Sequence, residues 1–326
     1  MKKRFAIILA IAMMFTSLPL YAFAADETST QTDQTQQETV VQNGWDENKT
    51  VYYENGSKLT NIVKKIDGKL YYFNGSGKVT TKKNAWLKLD GKKYWFNEKR
   101  NLVTKPTYIK NSKGKKVLYM FTKEGKLLVK KKGLFKYGGK EYYSLGKGKL
   151  KTGWVAVKKQ AMYFNKKNDK KTGTLGSMAK NTKIGYLKVP KNGRLGEAYA
   201  LGVKQLNKSG WTLRKAYTFS YRLRYKDRWY RQKSAEKYAL RGFKKGYGNC
   251  YVMASTFYIQ AKLLGYDVHQ VKGKVGIWPH SWTVIKQDGR NYVYDPNFRN
   301  ETGRNGWKIW YGKKGTWRYS RYSYMN

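Results

Sequence analysis

The chain has 326 residues with 32 glycines, 29 tyrosines and 11 tryptophans, and 68 Lys and Arg against 20 Asp and Glu give a formal net charge of +48. This length suits about two domains rather than one long core. The single cysteine excludes an intrachain disulfide, and one cysteine with two histidines cannot form a four-ligand Cys/His zinc site, which excludes structural zinc. We expect no metal and no cofactor. An aromatic content of 16% is unlike that of disordered chains, and the lysine excess indicates polyanionic surroundings.

The first 24 residues have the pattern of a secretory signal peptide. Basic residues at 2–4 precede an apolar run at 5–14, and Ala22-Phe23-Ala24 is a small-x-small cleavage site. We predict cleavage after Ala24; a retained membrane anchor is the alternative, although the apolar run is short for a bilayer span of about 20 residues. Export argues against nucleic acid as a partner and predicts a secreted protein whose basic surplus meets an anionic envelope.

Residues 25–43 differ in composition from everything that follows. They include four acids but no Lys, Arg or aromatic residue. Such a segment cannot bury a core, so we predict a disordered polar linker.

Residues 44–173 repeat a short aromatic pattern. The unit YYFNGSGKV at residues 71–79 recurs as YYSLGKGKL at 142–150, and looser copies give starts separated by 19, 23, 25, 23 and 20 residues. Each unit predicts a β-hairpin, as at residues 66–73 with their Asp67-Gly68 turn. Because a lone hairpin is marginally stable in water, we predict an all-β repeat solenoid of stacked hairpins. The six predicted starts are Tyr52, Tyr71, Tyr94, Tyr119, Tyr142 and Met162.

These units resemble the cell-wall-binding, choline-binding-type repeats of Gram-positive surface proteins. The resemblance rests on Gly-Trp pairs at 44–45 and 153–154, a related Ala-Trp pair at 85–86, and aromatic trios at 71–73 and 94–96. It implies aromatic cages between neighbouring units that hold a quaternary ammonium group by cation–π attraction. The chain departs from this pattern where tryptophan is expected, with Val63, Tyr108 and Leu134-Phe135 in its place.

The repeat segment is strongly basic, with 34 Lys and Arg against nine Asp and Glu, a net charge of +25. This charge repels a bare cation and attracts the phosphates of teichoic acid or other acidic glycans, so an anionic wall polymer is favoured over choline as the partner. The alternative for each aromatic side chain is that it belongs only to the repeat core. The predicted wall-binding residues are Trp45, Tyr72, Trp86, Trp95, Tyr143, Trp154 and Tyr163.

Helical periodicity appears in residues 174–326. The apolar spacing in residues 213–224 predicts one helix, and Ser234 is a candidate cap for another that runs to about residue 241. A third helix is predicted between Asn249 as N-cap and Gly265 as stop.

Cys250 opens this third helix, whose apolar face is formed by residues 250, 254, 257, 261 and 264. The unpaired N–H groups and positive dipole end of a helix N-terminus stabilise a thiolate and donate hydrogen bonds to an oxyanion. The alternative is a small, buried, apolar cysteine. The position at a helix start in an exported chain favours a nucleophile.

A predicted hairpin turning at Asp288-Gly289 brings a histidine and an acid together. If Gln287 pairs with Arg290, His280 and Asp295 become diagonal neighbours within hydrogen-bond reach. The same register places on one face His280, Trp282, Val284, Val293, Asp295 and Asn297. Asn297, directly across from His280, is the next candidate to orient the ring if Asp295 points away.

Cys250, His280 and Asp295 together supply a nucleophile, a base and a carboxylate that orients the base. His269 lies in the strand after the helix and lacks a similarly placed acid. We therefore interpret His269 as structural.

A second resemblance covers about 100 residues and concerns this constellation. It is to the transglutaminase-like superfamily, a papain-type fold, and rests on GNC at 248–250, LGY at 264–266, VKG at 271–273, HSW at 280–282 and YDP at 294–296. The resemblance implies an α+β domain over 174–326 with Cys250 as nucleophile, His280 as general base and acid, and Asp295 as orienter. It also implies that Trp282 lies near the acyl site, as a substrate-binding residue. Candidates for an oxyanion side chain, by position only, are Gln232 and Trp229.

The predicted function is that of an exported, wall-associated cysteine enzyme. It would form a thioester from a peptide or protein amide and pass the acyl group to water or to an amine, with water preferred because no amine channel can be located. The alternative is a non-catalytic wall- or glycan-binding surface protein with a degenerate transglutaminase-like domain. A glycan-binding adhesin is a third possibility, but it leaves the combination of Cys250, His280 and Asp295 unexplained.

Overall fold

The computed structural model describes residues 42–226, 230–311 and 319–325. The predicted signal peptide, all but the last two residues of the predicted linker, and Trp229 lie outside the described residues. Within the described part of the chain, no helix is long and apolar enough to cross a membrane. The same residues hold no group of three or more His, Cys, Asp or Glu side chains placed to bind a metal ion.

Residues 44–164 form antiparallel hairpins, and each predicted repeat start lies in the second long strand of one of them. The strands are β1 (Gly44–Trp45), β2 (Tyr52–Glu54), β3 (Ser57–Lys58), β4 (Ile62–Ile66), β5 (Lys69–Phe73), β6 (Ala85–Leu89), β7 (Lys92–Phe96), β8 (Thr107–Lys110), β9 (Lys116–Tyr119), β10 (Gly133–Tyr137), β11 (Lys140–Gly146), β12 (Lys149–Leu150), β13 (Gly153–Val157) and β14 (Gln160–Phe164). The predicted run of hairpins is confirmed.

The hairpins turn at residues that tolerate a positive φ. Asp67 and Gly68 have φ of 46° and 79°, and Asp90 and Gly91 have φ of 47° and 70°. Two consecutive residues with positive φ form the tight turn that matches the twist of the flanking strands. The turn predicted at Asp67-Gly68 is therefore confirmed.

The repeats bury their side chains in small clusters that neighbouring hairpins share. One cluster combines Tyr94 and Phe96 with Val63 and Tyr72 of the preceding hairpin. Each hairpin thus completes its core only with its neighbour, which is how repeat proteins are stabilised.

The chain continues with one further hairpin, followed by a helical and sheet region. Its elements are β15 (Thr182–Ile184), β16 (Leu187–Val189), α1 (Glu197–Ser209), α2 (Leu213–Tyr221), β17 (Arg224–Tyr225), α3 (Ala235–Lys245), β18 (Tyr247–Gly248), α4 (Cys250–Leu263), β19 (Val268–Val275), β20 (Trp278–Gln287), β21 (Arg290–Tyr294), α5 (Pro296–Thr302), β22 (Ile309–Trp310) and β23 (Tyr319–Met325). The α1 helix was not predicted from the sequence. Gly202 lies in this helix, and a Cβ there would be 2.8 Å from Leu263, so the glycine lets α1 approach α4 closely.

Helix ends follow the predicted capping residues. The side chain of Asn249 accepts the N–H of Val252 at the start of α4, and Ser234 caps α3. The α3 helix runs on to Lys245 rather than to residue 241, and it ends at Gly246, which has a φ of 71°.

The main sheet of this region has the order β22-β21-β20-β19-β23, and α4 packs against β19 and β20. The predicted pairing of Gln287 with Arg290 is confirmed and continues to Thr283 opposite Tyr294. The predicted pairing of His280 with Asn297 is wrong. Asp295 caps α5 with its side chain, so the strand ends at Tyr294 and Asn297 is helical.

Candidate functional site

Cys250 lies at the N-terminus of α4 and is 9% exposed. The first turn of any helix leaves backbone N–H groups without intrahelical partners, and these carry the positive end of the helix dipole. Thiol chemistry at Cys250 would therefore take place beside hydrogen-bond donors.

His280 and Asp295 form a buried pair. His280 Nε2 lies 2.8 Å from Asp295 Oδ2, and Asp295 is fully buried. The other carboxylate oxygen, Oδ1, accepts the backbone N–H of Phe298 at 2.9 Å. The cap of α5 therefore fixes the carboxylate, which in turn holds one ring nitrogen of the histidine.

Two aromatic side chains surround this pair. The hydroxyl of Tyr319 donates to Asp295 Oδ2 at 3.1 Å, and Tyr319 is 4% exposed. The rings of His280 and Trp282 are stacked with centroids 6.0 Å apart, and Trp282 meets Tyr319 edge-on at 5.1 Å. The imidazole of His280 thus packs against Trp282, which in turn packs against Tyr319. Asp295 Oδ2 takes part in two hydrogen bonds, one with His280 and one with Tyr319.

The environment of His280 raises its pKa to about 10. Burial alone lowers the pKa, but the charge and hydrogen bond of Asp295, with a hydrogen bond and the charge of Cys250, outweigh it. An imidazole of this kind is protonated at neutral pH, where it can pair with a thiolate and later donate a proton to a leaving group.

Trp282 lies beside the imidazole, as expected, but it is fully buried and offers no surface to a substrate. Two exposed apolar side chains nearby were missed: Ile277 is 77% and Trp278 is 72% exposed. Strand alternation places Trp278 on the same face as His280. That alternation was already readable in the sequence.

His269 pairs with an acid that the sequence analysis did not anticipate, while its interpretation as a structural residue stays a prediction. Its Nε2 lies 3.3 Å from Asp267 Oδ1, with side chains that are 45% and 26% exposed. The ring also stacks on Tyr324 with centroids 4.6 Å apart. This partly exposed pair forms a surface contact separate from the buried His280–Asp295 pair.

The oxyanion side chain stays a prediction. Gln232 Nε2 donates to the backbone carbonyl of Arg231 at 2.8 Å, and Trp229 lies outside the described residues. Asn297 Nδ2 is a buried donor without a hydrogen-bond partner among the described residues.

The predicted wall-binding aromatics fall into cross-strand pairs that recur from hairpin to hairpin. The pairs are Trp45 with Tyr52, Val63 with Tyr72, Trp86 with Trp95, Leu134 with Tyr143, and Trp154 with Tyr163. Two of these pairs meet a tyrosine of the next hairpin at similar distances: Trp45 lies 4.9 Å from Tyr71, and Trp86 lies 5.3 Å from Tyr119. In two other pairs the partner is aliphatic, Val63 for Tyr72 and Leu134 for Tyr143. These two tyrosines pack mainly in the repeat core.

The Trp86 site opens to solvent. Trp86 is 40% exposed and lies in a cleft of about 440 Å³ with Tyr119 and Leu127. The described residues that line this cleft include no acid and four lysines, Lys88, Lys93, Lys147 and Lys149. We call this feature the Trp86 cleft.

Solved structures similar to this chain include choline binding protein F from Streptococcus pneumoniae. The two sequences are 27% identical over an alignment that covers 47% of this chain and 47% of that chain, with a TM-score of 0.28. A pneumococcal cell wall endolysin from phage Cp-1, complexed with choline, is 22% identical, with 36% of this chain and 30% of that chain covered and a TM-score of 0.25. This chain spans less than half the length of either protein. No protein-family model and no curated protein matches the chain.

Proposed function

We propose that this chain is an exported, wall-bound cysteine enzyme that transfers acyl groups from peptide or protein amides. The observation that carries the catalytic part is the hydrogen bond of His280 to the buried carboxylate of Asp295, with Cys250 at the start of α4, the helix that packs against the strand of His280. This is the arrangement that a cysteine nucleophile requires.

The reaction has two halves. The thiol proton of Cys250 passes to His280, and the sulfur attacks the amide carbonyl carbon. The tetrahedral oxyanion receives hydrogen bonds from N–H groups at the start of α4, and the C–N bond breaks as His280 gives that proton to the departing amine. Water or a second amine then attacks the thioester and gives its proton to His280. The C–S bond breaks as His280 returns this proton to the sulfur, which restores the thiol. Water is the preferred acceptor.

The repeats would hold this domain at the wall. The Trp86 cleft is lined by apolar and aromatic side chains and by four lysines. The lysine ammonium groups attract a polyanion and repel a quaternary ammonium ion. We therefore propose an anionic wall polymer as the partner, with choline as the alternative.

A second candidate function is wall or glycan binding without catalysis. It is favoured by the low exposure of the reacting groups, 9% for Cys250 and 12% for the His280 side chain, compared with the open Trp86 cleft.

The catalytic proposal is tested with a peptide-amide library, with and without an added primary amine, analysed by mass spectrometry. We expect acid products from the native chain, amine-dependent new amides if transamidation occurs, and no product from Cys250→Ala. Equal product from native and Cys250→Ala protein contradicts the proposal, and no product from either favours the binding-only function.

Wall binding is tested by sedimentation of the chain with isolated walls. Deletion of residues 44–173 should abolish retention, and rising salt should weaken retention of the intact chain because the Debye length falls from about 10 Å at 0.1 M to about 3 Å at 1 M. Retention that survives high salt but is lost with choline would instead support the choline alternative.

A further inference from the structure

The last repeat hairpin, β13–β14, packs on the preceding hairpin and also against α1 of the C-terminal domain, residues 174–326. Its facing rings, Trp154 and Tyr163, lie 5.1 Å apart at 71°, close to the 5.1 Å and 67° of Trp86 and Trp95. Trp154 Nε1 donates to the backbone carbonyl of Leu263, the last residue of α4, at 3.0 Å. A repeat-type aromatic pair is thus built into the junction between the two parts of the chain.

A cleft of about 580 Å³ lies at this junction, and both parts of the chain line it. The repeats contribute Tyr163, Lys151 and Lys166, and the C-terminal domain contributes Asn207 and Trp211. Trp211 is 38% exposed, and its Nε1 donates to Asn207 Oδ1 at 3.0 Å, which orients the indole ring. We call this feature the junction cleft.

The lining of the junction cleft includes a backbone contact that requires glycine. A Cβ on Gly185 would lie 2.5 Å from the Cα of Gly265. Both glycines also have positive φ, 58° and 91°. The β15–β16 turn and the turn after α4 therefore meet without a side chain between them.

The chemistry of the junction cleft suits a sugar that carries an acid. Its described lining includes two lysines and no acidic side chain. The α1 helix ends here, and the carbonyls of its last turn can accept hydrogen bonds from hydroxyl groups. The carbonyls at the end of α4 already accept hydrogen bonds within the protein. Tyr163 and Trp211 offer apolar ring surfaces for a sugar ring, while the lysine ammonium groups bind a phosphate or carboxylate.

We propose that the junction cleft binds an anionic saccharide unit of the wall polymer and so fixes the C-terminal domain to the wall-bound repeats. The inference rests on the wall-binding part of the proposed function and is independent of catalysis. A ligand in the cleft would hold one end of α4 while Cys250 lies at the other end.

The test is hydrogen exchange of the full chain, titrated with a glucosylated glycerol-phosphate oligomer, a neutral glucan oligomer or choline chloride. We expect the phosphate oligomer alone to protect amides at residues 182–189 and 262–266. Trp211→Ala should raise the concentration needed for this protection about tenfold, the scale on which a stacking ring contributes. The double variant Lys151→Ala/Lys166→Ala should also bind the oligomer more weakly. Val129→Ala, which changes an exposed repeat side chain outside both clefts, is the control and should leave the ligand concentration at half-maximal junction protection, the junction midpoint, unchanged. Trp86→Ala should weaken protection of residues 85–96.

Each outcome separates this inference from the proposed function. Protection of 85–96 without the junction overturns the inference and leaves wall binding intact, whereas protection of neither overturns both. An unchanged junction midpoint in Trp211→Ala, or equal protection by the neutral glucan or by choline, also overturns the proposed site.

Discussion

The two regions of the molecule use aromatic side chains in opposite ways. In the repeats, Trp86 is 40% exposed and its cleft is built from neighbouring hairpins. In the C-terminal domain, Trp282 is fully buried beneath His280. Related aromatic pairs recur along the repeats, whereas the His280–Asp295 pair occurs in one place. We expect function to be distributed over many residues in the first region and concentrated in a few in the second.

The largest effect is expected at His280. His280→Ala should lower the rate at which an electrophilic thiol probe labels native Cys250 by about 10²–10⁴-fold, because the imidazolium that stabilises the thiolate is lost. His269→Ala is the matched control, since its ring pairs with Asp267 at the surface and should leave labelling unchanged. Intact-mass spectrometry gives both rates. An equal loss of labelling rate in His280→Ala and His269→Ala would contradict a function concentrated in a few residues of the C-terminal domain.

Asp295→Asn should have the next largest effect. Asparagine can still cap α5, so the fold should persist while the charge that raises the pKa of His280 is removed. We expect peptide-amide turnover to fall by up to about 10⁴-fold, as for other triads that lose this carboxylate. Circular dichroism checks the fold. Full turnover in a folded Asn variant would remove Asp295 from the mechanism.

Tyr319→Phe should produce a smaller loss at the same site. The substitution keeps the ring that packs on Trp282 and removes only the hydroxyl that donates to Asp295. We expect about tenfold slower labelling of Cys250, the scale of one hydrogen bond to a charged group, together with a changed pH profile. A lower melting temperature with an unchanged pH profile would restrict Tyr319 to packing.

The His280 pair also predicts how stability depends on pH. Its pKa is raised from 6.5 to about 10 in the folded chain, so its stabilisation is fully present below about pH 6.5 and is lost as the pH rises through about 10. Urea unfolding of native and His280→Ala protein should therefore give a difference in unfolding free energy that shrinks from about pH 6 to about pH 10. A difference that grows over this range would contradict the predicted protonation state.

The smallest effect is expected from a single repeat aromatic. Trp86→Ala should weaken retention on isolated walls only a few-fold, because other pairs such as Trp45 with Tyr52 persist and multivalent attachment compensates for one lost site. Val129→Ala, which changes another exposed side chain of the repeats, is the control. Complete loss of retention in Trp86→Ala would show that wall binding is concentrated at the Trp86 cleft.

The sequence alone determined much of the repeats, since their structure depends on local rules. The Asp67-Gly68 turn and the period of the aromatic strands are short-range features, and a hairpin contacts mainly its neighbours. The helix starts at Ser234 and Asn249 were readable for the same reason, because capping involves residues three positions apart. The register of the β20–β21 hairpin followed from its two-residue turn as far as Thr283 opposite Tyr294, but not at His280.

Only the tertiary structure decided which side chains complete the site. Tyr319 reaches Asp295 because β23 pairs with β19, a contact across about fifty positions that no local pattern encodes. The end of β21 at Tyr294 was likewise set by the competing cap of α5, which turned Asn297 away from the predicted partner. Sequence periodicity describes how a strand or helix alternates, but long-range packing determines where one element stops and which distant side chain meets it.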